Sequence, residues 1–75
     1  MEEKVKGIIN KILERKKIQP LKELNYGLSL RNDLDMDSLD LAELTVRIED
    51  EFGIDVFEDG IIDTIGEIME RINKR

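Results

Sequence analysis

Apolar residues recur at helical spacing in three stretches of this chain of 75 residues. The first repeat covers residues 5–13 and predicts a helix over about residues 2–17. We expect Pro20 to end this helix, because proline disfavours helix in the residue before it. Residues 18–36 are then predicted to form a long loop with one helical turn over residues 21–24. Six apolar side chains of this loop are expected to hold it on the core: Ile18, Leu21, Leu24, Leu28, Leu30 and Leu34.

The second repeat predicts a helix that starts near Ser38, with Asp37 or Ser38 as its N-cap, and ends near Gly53. On a helical wheel, four apolar residues form one stripe that faces the core: Leu41, Leu44, Ile48 and Phe52. A second apolar stripe, formed by Leu39, Ala42 and Val46, lies nearly opposite. It is edged by the carboxylates of Asp40, Glu43, Glu49 and Asp50. A helix packed on one side does not need this second stripe. It therefore indicates a docking surface, or else packing against the loop or a short third helix.

Two further helical segments complete the predicted fold. We expect a short helix over residues 58–62 and a last helix from residue 65, capped by Asp63 or Thr64. Three amphipathic helices and one short segment predict an all-α fold, a small four-helix bundle, as one domain over residues 1–75. No apolar run approaches the ~20 residues that span a bilayer, and the N-terminus has no signal-peptide pattern. A cytoplasmic monomer without membrane insertion is therefore expected.

Charge is distributed unevenly along the chain, whose net charge is −6. Residues 1–31 hold four acids and eight bases, whereas residues 32–70 hold fourteen acids and one base, Arg47. Nucleic-acid binding is disfavoured in the acidic part, because phosphate contacts need Lys and Arg. A basic protein partner would complement this charge, and an acidic surface kept for solubility is the alternative.

The residue types exclude most catalytic chemistry. The chain has no histidine and no cysteine, which excludes disulfides, thiolate metal sites and Ser–His or Cys–His catalysis. Asp33, Asp35 and Asp37 imitate the start of an EF-hand loop, but Ser38 and Leu44 stand where that loop needs glycine and glutamate. We therefore predict no catalytic residue and no metal site. The hydroxyl of Ser38 remains, at a helix N-terminus that favours an anion, although an ordinary N-cap would place a serine there too.

Three blocks around this serine resemble the prosthetic-group site of acyl carrier proteins. They are Asp-Leu-Asp-Met-Asp-Ser-Leu-Asp at 33–40, Glu-Leu at 43–44 and Ile-Glu-Asp-Glu-Phe-Gly at 48–53. The resemblance implies that Ser38 carries a 4′-phosphopantetheine arm taken from coenzyme A, with Asp37 as the acid beside it. It also implies that partner enzymes dock on the second helix, at Leu39, Asp40, Glu43, Val46, Glu49 and Asp50.

The same likeness implies a carrier and not an enzyme. Acyl groups would be held as thioesters on the arm, in fatty-acid synthesis or in a related lipid, polysaccharide or secondary-metabolite pathway. The implied partners are a phosphopantetheinyl transferase and acyl-loading and acyl-transfer enzymes with basic docking patches. Asp35 stands where many members of the family have glycine, and Arg47 adds a positive charge to the acidic face, so we expect an altered loop and an altered choice of partner. The alternative is an unmodified acidic interaction module that binds a basic partner through its second helix.

Overall fold

The structure, a computed structural model, is built from helices and describes residues 2–57, 60 and 62–74. Within these residues the helices are α1 (Glu2–Arg15), α2 (Ser38–Phe52) and α3 (Ile65–Asn73). The prediction of an all-α fold is confirmed, and all three main helices lie where the apolar spacing predicts them. The short helix expected over residues 58–62 falls largely on residues outside those described. None of the described helices is long and apolar enough to cross a membrane.

The first helix ends slightly earlier than predicted, and a local backbone turn ends it. Lys17 adopts a positive φ of 64°. The Ile18 N–H then donates to the Leu13 carbonyl at 2.8 Å, and the Lys17 N–H donates to the Glu14 carbonyl at 3.0 Å. This pair of bonds is the Schellman pattern, which satisfies the last carbonyls of a helix. The chain has therefore left the helix before Pro20 can act, so the prediction that proline ends α1 is wrong.

The core lies between the three helices and uses the predicted apolar faces. α1 packs against α2, and eight of the side chains with no exposed surface come from the three helices: Val5, Ile9, Ile12, Leu13, Leu44, Ile48, Ile65 and Ile68. Leu41 is also buried, and Phe52 packs on the edge of the core. Complete burial of one such side chain is worth roughly 1.5–3 kcal/mol. The stripe of α2 that faces the core therefore stabilises the fold.

The loop between α1 and α2 is held on the core as predicted. Leu30 and Leu34 are buried, and the four other apolar residues of the loop pack on the core as partly buried side chains. Asn10 holds the first part of the loop, because its Nδ2 donates to the Leu21 carbonyl at 3.0 Å and its Oδ1 accepts from the Leu21 N–H at 2.8 Å. Residues 21–24 form a bend, so the prediction of a helical turn there is wrong. The Asn10 side chain forms hydrogen bonds with the N–H and carbonyl of Leu21, which in a helical turn would bond to other backbone groups.

The second part of the loop is bonded to the residues that precede α3. The Leu30 N–H donates to the Asp63 carbonyl at 2.7 Å, and the Ser29 hydroxyl donates to Asp63 Oδ1 at 2.8 Å. The Met36 N–H donates back to the Leu30 carbonyl at 3.0 Å. These bonds fix the backbone just before Ser38, so the start of α2 is held by the rest of the fold.

Candidate functional site

Ser38 is the first residue of α2, and its side chain is exposed. The N-cap is Asp37, whose backbone is extended (φ −97°, ψ −174°) and whose Oδ1 accepts from the Asp40 N–H at 2.9 Å. Of the two caps that the sequence allows, the structure selects Asp37, so Ser38 is not the N-cap of this helix. Its hydroxyl lies in the first turn, where backbone N–H groups and the helix dipole favour a bound anion.

Asp40 completes the cap and joins it to α1. Its Oδ2 accepts from the Asp37 backbone N–H at 3.1 Å, which closes a capping box. Its Oδ1 accepts from Arg15 Nη2 at 2.8 Å, and its Oδ2 also accepts from Lys16 Nζ at 2.5 Å. Asp40 is only 3% exposed. The structure thus differs from the expectation that Asp40 edges the exposed stripe, because bonds within the chain engage both carboxylate oxygens.

These bonds keep Asp40 ionised despite its burial. Burial acts to raise its pKa, but hydrogen bonds from Lys16, from the Asp37 backbone N–H and from Arg15 outweigh burial and hold the pKa well below its usual range. The hydrogen bond to Asp40 in turn raises the pKa of Arg15 and of Lys16. The Asp40 carboxylate that completes the cap beside Ser38 is therefore charged throughout the neutral pH range.

The second apolar stripe of α2 faces solvent. Leu39 is 80% exposed and Val46 is 65% exposed. The alternative interpretation, in which Leu39 and Val46 pack against the loop or the short third segment, is therefore wrong for these side chains. Glu49 and Asp50 are also exposed. Part of the stripe forms a shallow groove whose lining residues are Ala42, Glu43, Val46, Arg47, Glu49 and Asp50.

Glu43 differs from the other acids of this groove because cations of the same chain engage both of its oxygens. Arg15 Nη2 donates to its Oε1 at 2.7 Å, and Arg47 Nε donates to its Oε2 at 2.9 Å. The hydrogen bond from Arg47 is the largest cause of a lowered Glu43 pKa, and Arg15 adds to it against the opposing effect of burial. The positive charge that the sequence places in the acidic face is thus paired with an acid of that face.

A second groove, of about 220 Å³, opens beside Ser38. Its lining residues are Arg31, Ser38, Leu41, Ala42, Thr45 and Phe57. The hydroxyl of Thr45 donates to the Leu41 carbonyl at 2.9 Å, so the α2 backbone already engages this polar group. The groove therefore offers a largely apolar wall next to the serine.

The three aspartates that imitate an EF-hand loop have separate roles. Asp33 Oδ2 accepts from the Ser29 N–H at 2.7 Å, and Asp37 is the cap of α2. Asp35 adopts a positive φ of 56°, in the left-handed region that glycine favours and that aspartate tolerates better than most residues. Asp35 therefore adopts the backbone conformation that glycine favours, at a position where the resemblance implies glycine. Across the described part of the chain, no cluster of three or more acidic side chains could hold a metal ion.

Sequence reasoning missed three residues that position the site: Asn10, Arg15 and Lys16. The excess of bases in residues 1–31 contains a signal for the two cations. That excess does not show which acids they bind, because the contacts with Asp40 join residues more than twenty positions apart. No local pattern marks Asn10 as a residue that holds a distant loop.

Comparison with known proteins agrees with these features. The protein family described as "Phosphopantetheine attachment site" matches residues 3–72. An acyl carrier protein of Buchnera aphidicola is 34% identical over 100% of this chain and 92% of its own length, and one of Amoebophilus asiaticus is 34% identical over 91% and 86%. An acyl carrier protein of Saccharopolyspora erythraea is 43% identical over 68% of this chain and 56% of its own length. No solved structure gives a significant match.

Proposed function

This chain belongs to the phosphopantetheine attachment-site family, an acyl carrier family with covalently attached 4′-phosphopantetheine, and we propose that Ser38 bears that group. The supporting observation is the exposed hydroxyl of Ser38 in the first turn of α2, with capping assigned to Asp37. The bound group supplies a thiol that holds an acyl chain as a thioester.

Several features of the chain suit an arm at this serine. The side chain is exposed, so a modifying enzyme can reach the hydroxyl. The hydroxyl oxygen loses its proton and bonds to the phosphorus of coenzyme A that carries the pantetheine, the pyrophosphate bond of coenzyme A breaks, and adenosine 3′,5′-bisphosphate leaves. The backbone N–H groups at the start of α2 favour the phosphodiester charge. The groove beside Ser38 offers the Leu41 and Phe57 side chains as an apolar wall along which an acyl chain can lie.

We further propose that partners dock on the exposed stripe of α2. Leu39 and Val46 supply apolar contacts, and Glu49 and Asp50 supply charges for basic side chains of the partner. The resemblance also assigns Asp40 and Glu43 to this surface, but Asp40 acts indirectly, because it maintains the cap beside the serine. Docking through screened charges gives fast association that weakens with salt.

The proposed role is that of a carrier domain without a catalytic residue of its own. Its partners are a phosphopantetheinyl transferase and the enzymes that load and remove the acyl group. The pathway is fatty-acid synthesis or a related lipid, polysaccharide or secondary-metabolite pathway. We propose that the complete fold is a small four-helix bundle, as the resemblance implies.

Mass spectrometry of the intact protein tests the attachment residue. The protein is incubated with coenzyme A and a broad-specificity phosphopantetheinyl transferase. Wild type should gain one phosphopantetheinyl group, and Ser38→Ala should gain none. Ser29→Ala, at the other serine of the chain, is the matched control and should still be modified. Circular dichroism shows whether this variant folds. Failure of every transferase tried to modify wild type would favour the unmodified interaction module.

A further inference from the structure

The exposed stripe of α2 is not uniformly anionic, and we infer that the cations of a partner bind Glu49 and Asp50 while Glu43 is left to the chain's own arginines. A partner surface that fits this stripe is apolar where it faces Ala42 and Val46. Its basic side chains lie only where it faces the C-terminal end of the stripe. This inference rests on the proposed function, because it assumes that partners dock on α2.

The middle of the stripe is already paired within the chain. Glu43 accepts from Arg15 at 2.7 Å and from Arg47 at 2.9 Å, one bond to each carboxylate oxygen. Its side chain is 28% exposed. A partner arginine that bound Glu43 would have to displace one of these guanidinium groups, so one charge-assisted bond would replace another with little net gain. Displacement of Arg47 would also bring two cations close together.

The acids at the C-terminal end of the stripe are not paired in this way. Glu49 and Asp50 are exposed, and no cation among the described residues forms a salt bridge with either of them. The neighbouring acid Glu51 is bonded to Lys4 at 2.8 Å. A partner cation at Glu49 or Asp50 would therefore replace water and not an existing ion pair, and its Coulomb attraction would not be cancelled by a lost bond.

The paired and unpaired acids are far enough apart to act separately. Glu43 and Asp50 are seven residues apart in α2, which corresponds to ~10 Å along the helix axis. The Debye length at physiological ionic strength is ~8 Å. Arg47 stands nearer, three residues before Asp50, and Asp50 also borders a groove with Lys4 and Lys11, so these cations weaken the potential at Asp50 without forming a salt bridge to it. Both ends border one groove with Ala42 and Val46, so one partner surface can contact both.

A variant that removes an unpaired acid and a variant that removes the internal ion pair test the inference, and kcat/KM for modification by the transferase is the measurement. Glu49→Gln removes one negative charge and should lower kcat/KM about two- to fivefold at low salt, the range expected for an exposed ion pair, and less at high salt. The double variant Glu43→Gln with Arg47→Gln leaves the net charge of α2 unchanged and should change kcat/KM less than about twofold. Arg47→Gln alone should raise kcat/KM, because one carboxylate oxygen of Glu43 then becomes available to the cations of the partner.

The outcomes separate the inference from the proposed function. If the double variant slows modification as much as Glu49→Gln, or if Glu49→Gln has no effect, the inference is wrong while the attachment of the arm still holds. If wild type itself is not modified, the proposed function fails first. An NMR titration adds a readout without any partner: the pKa of Glu43 should be lowered in wild type and should rise in Arg47→Gln, because the hydrogen bond from Arg47 is the largest cause of the lowered pKa.

Discussion

Removal of the cap at Asp37 would show how far the geometry of the α2 start controls modification of Ser38. Asp37→Ala deletes the oxygen that accepts from the Asp40 N–H at 2.9 Å and leaves that donor without its partner. Loss of an N-cap costs ~1 kcal/mol, within a range of about 0.5–2 kcal/mol. For a domain of this size, 1 kcal/mol corresponds to a fall in Tm of about 4–8 °C. Asp37→Asn retains an oxygen at the same position and should keep the wild-type Tm, because asparagine caps helices about as well as aspartate.

The assay combines thermal unfolding, followed by circular dichroism, with the rate of modification by the transferase. Thr64→Ala is the matched control, because Thr64 caps α3 through an equivalent box with Glu67, on a different helix from Ser38. Asp37→Ala and Thr64→Ala should lower Tm by similar amounts, but only Asp37→Ala should slow modification strongly. An unchanged Tm in Asp37→Ala would refute the capping argument. Equal slowing by Thr64→Ala would show that overall stability, and not the local cap, controls the reaction.

Two glycines and one buried acid give further predictions. Gly7→Ala should stabilise the fold by up to ~1 kcal/mol, because a Cβ there meets no atom within 4 Å and alanine favours helix. Gly66→Ala should destabilise it, because its Cβ would lie 3.0 Å from the Tyr26 carbonyl oxygen; an equal rise in Tm for both variants would contradict this packing. The lowered pKa of Asp40 means that its ionised form stabilises the fold above about pH 4 and that this contribution is lost as the pH falls toward the folded-state pKa. In urea unfolding, the loss of unfolding free energy caused by Asp40→Asn should therefore be largest at neutral pH and should become smaller below pH ~4. A loss that stays constant with pH would contradict this argument.

The helices and their buried faces could be predicted because the signal for them is local. Apolar spacing within α2 separates Leu44 and Ile48, which are fully buried, from Leu39 and Val46, which are exposed. The ends of elements were harder to predict where a conformation depends on contacts. Lys17 ends α1 in a left-handed conformation that its residue type does not favour, and nothing in the local sequence indicates this.

The long loop is a second case in which tertiary contacts limit prediction from sequence. Its apolar residues could be assigned to the core, because a loop of this length in a small domain needs anchors. The path of its backbone could not be predicted, because Asn10 in α1 forms hydrogen bonds with the backbone groups of Leu21, eleven residues away. Contacts of this kind depend on how two elements pack, and a single sequence contains no periodic trace of them.

The charge pattern of the chain overstates the negative charge that a partner meets. Residues 32–70 have a large excess of acids, and residues 1–31 have an excess of bases. When α1 packs on α2, the bases come to lie against the acids, so that Asp40, Glu43 and Glu51 are each paired within the chain. Because paired acids contribute little to long-range attraction, the salt dependence of docking should reflect mainly the exposed pair, Glu49 and Asp50. The number of acids that a carrier contributes to docking thus depends on tertiary packing as well as on how many its helix contains.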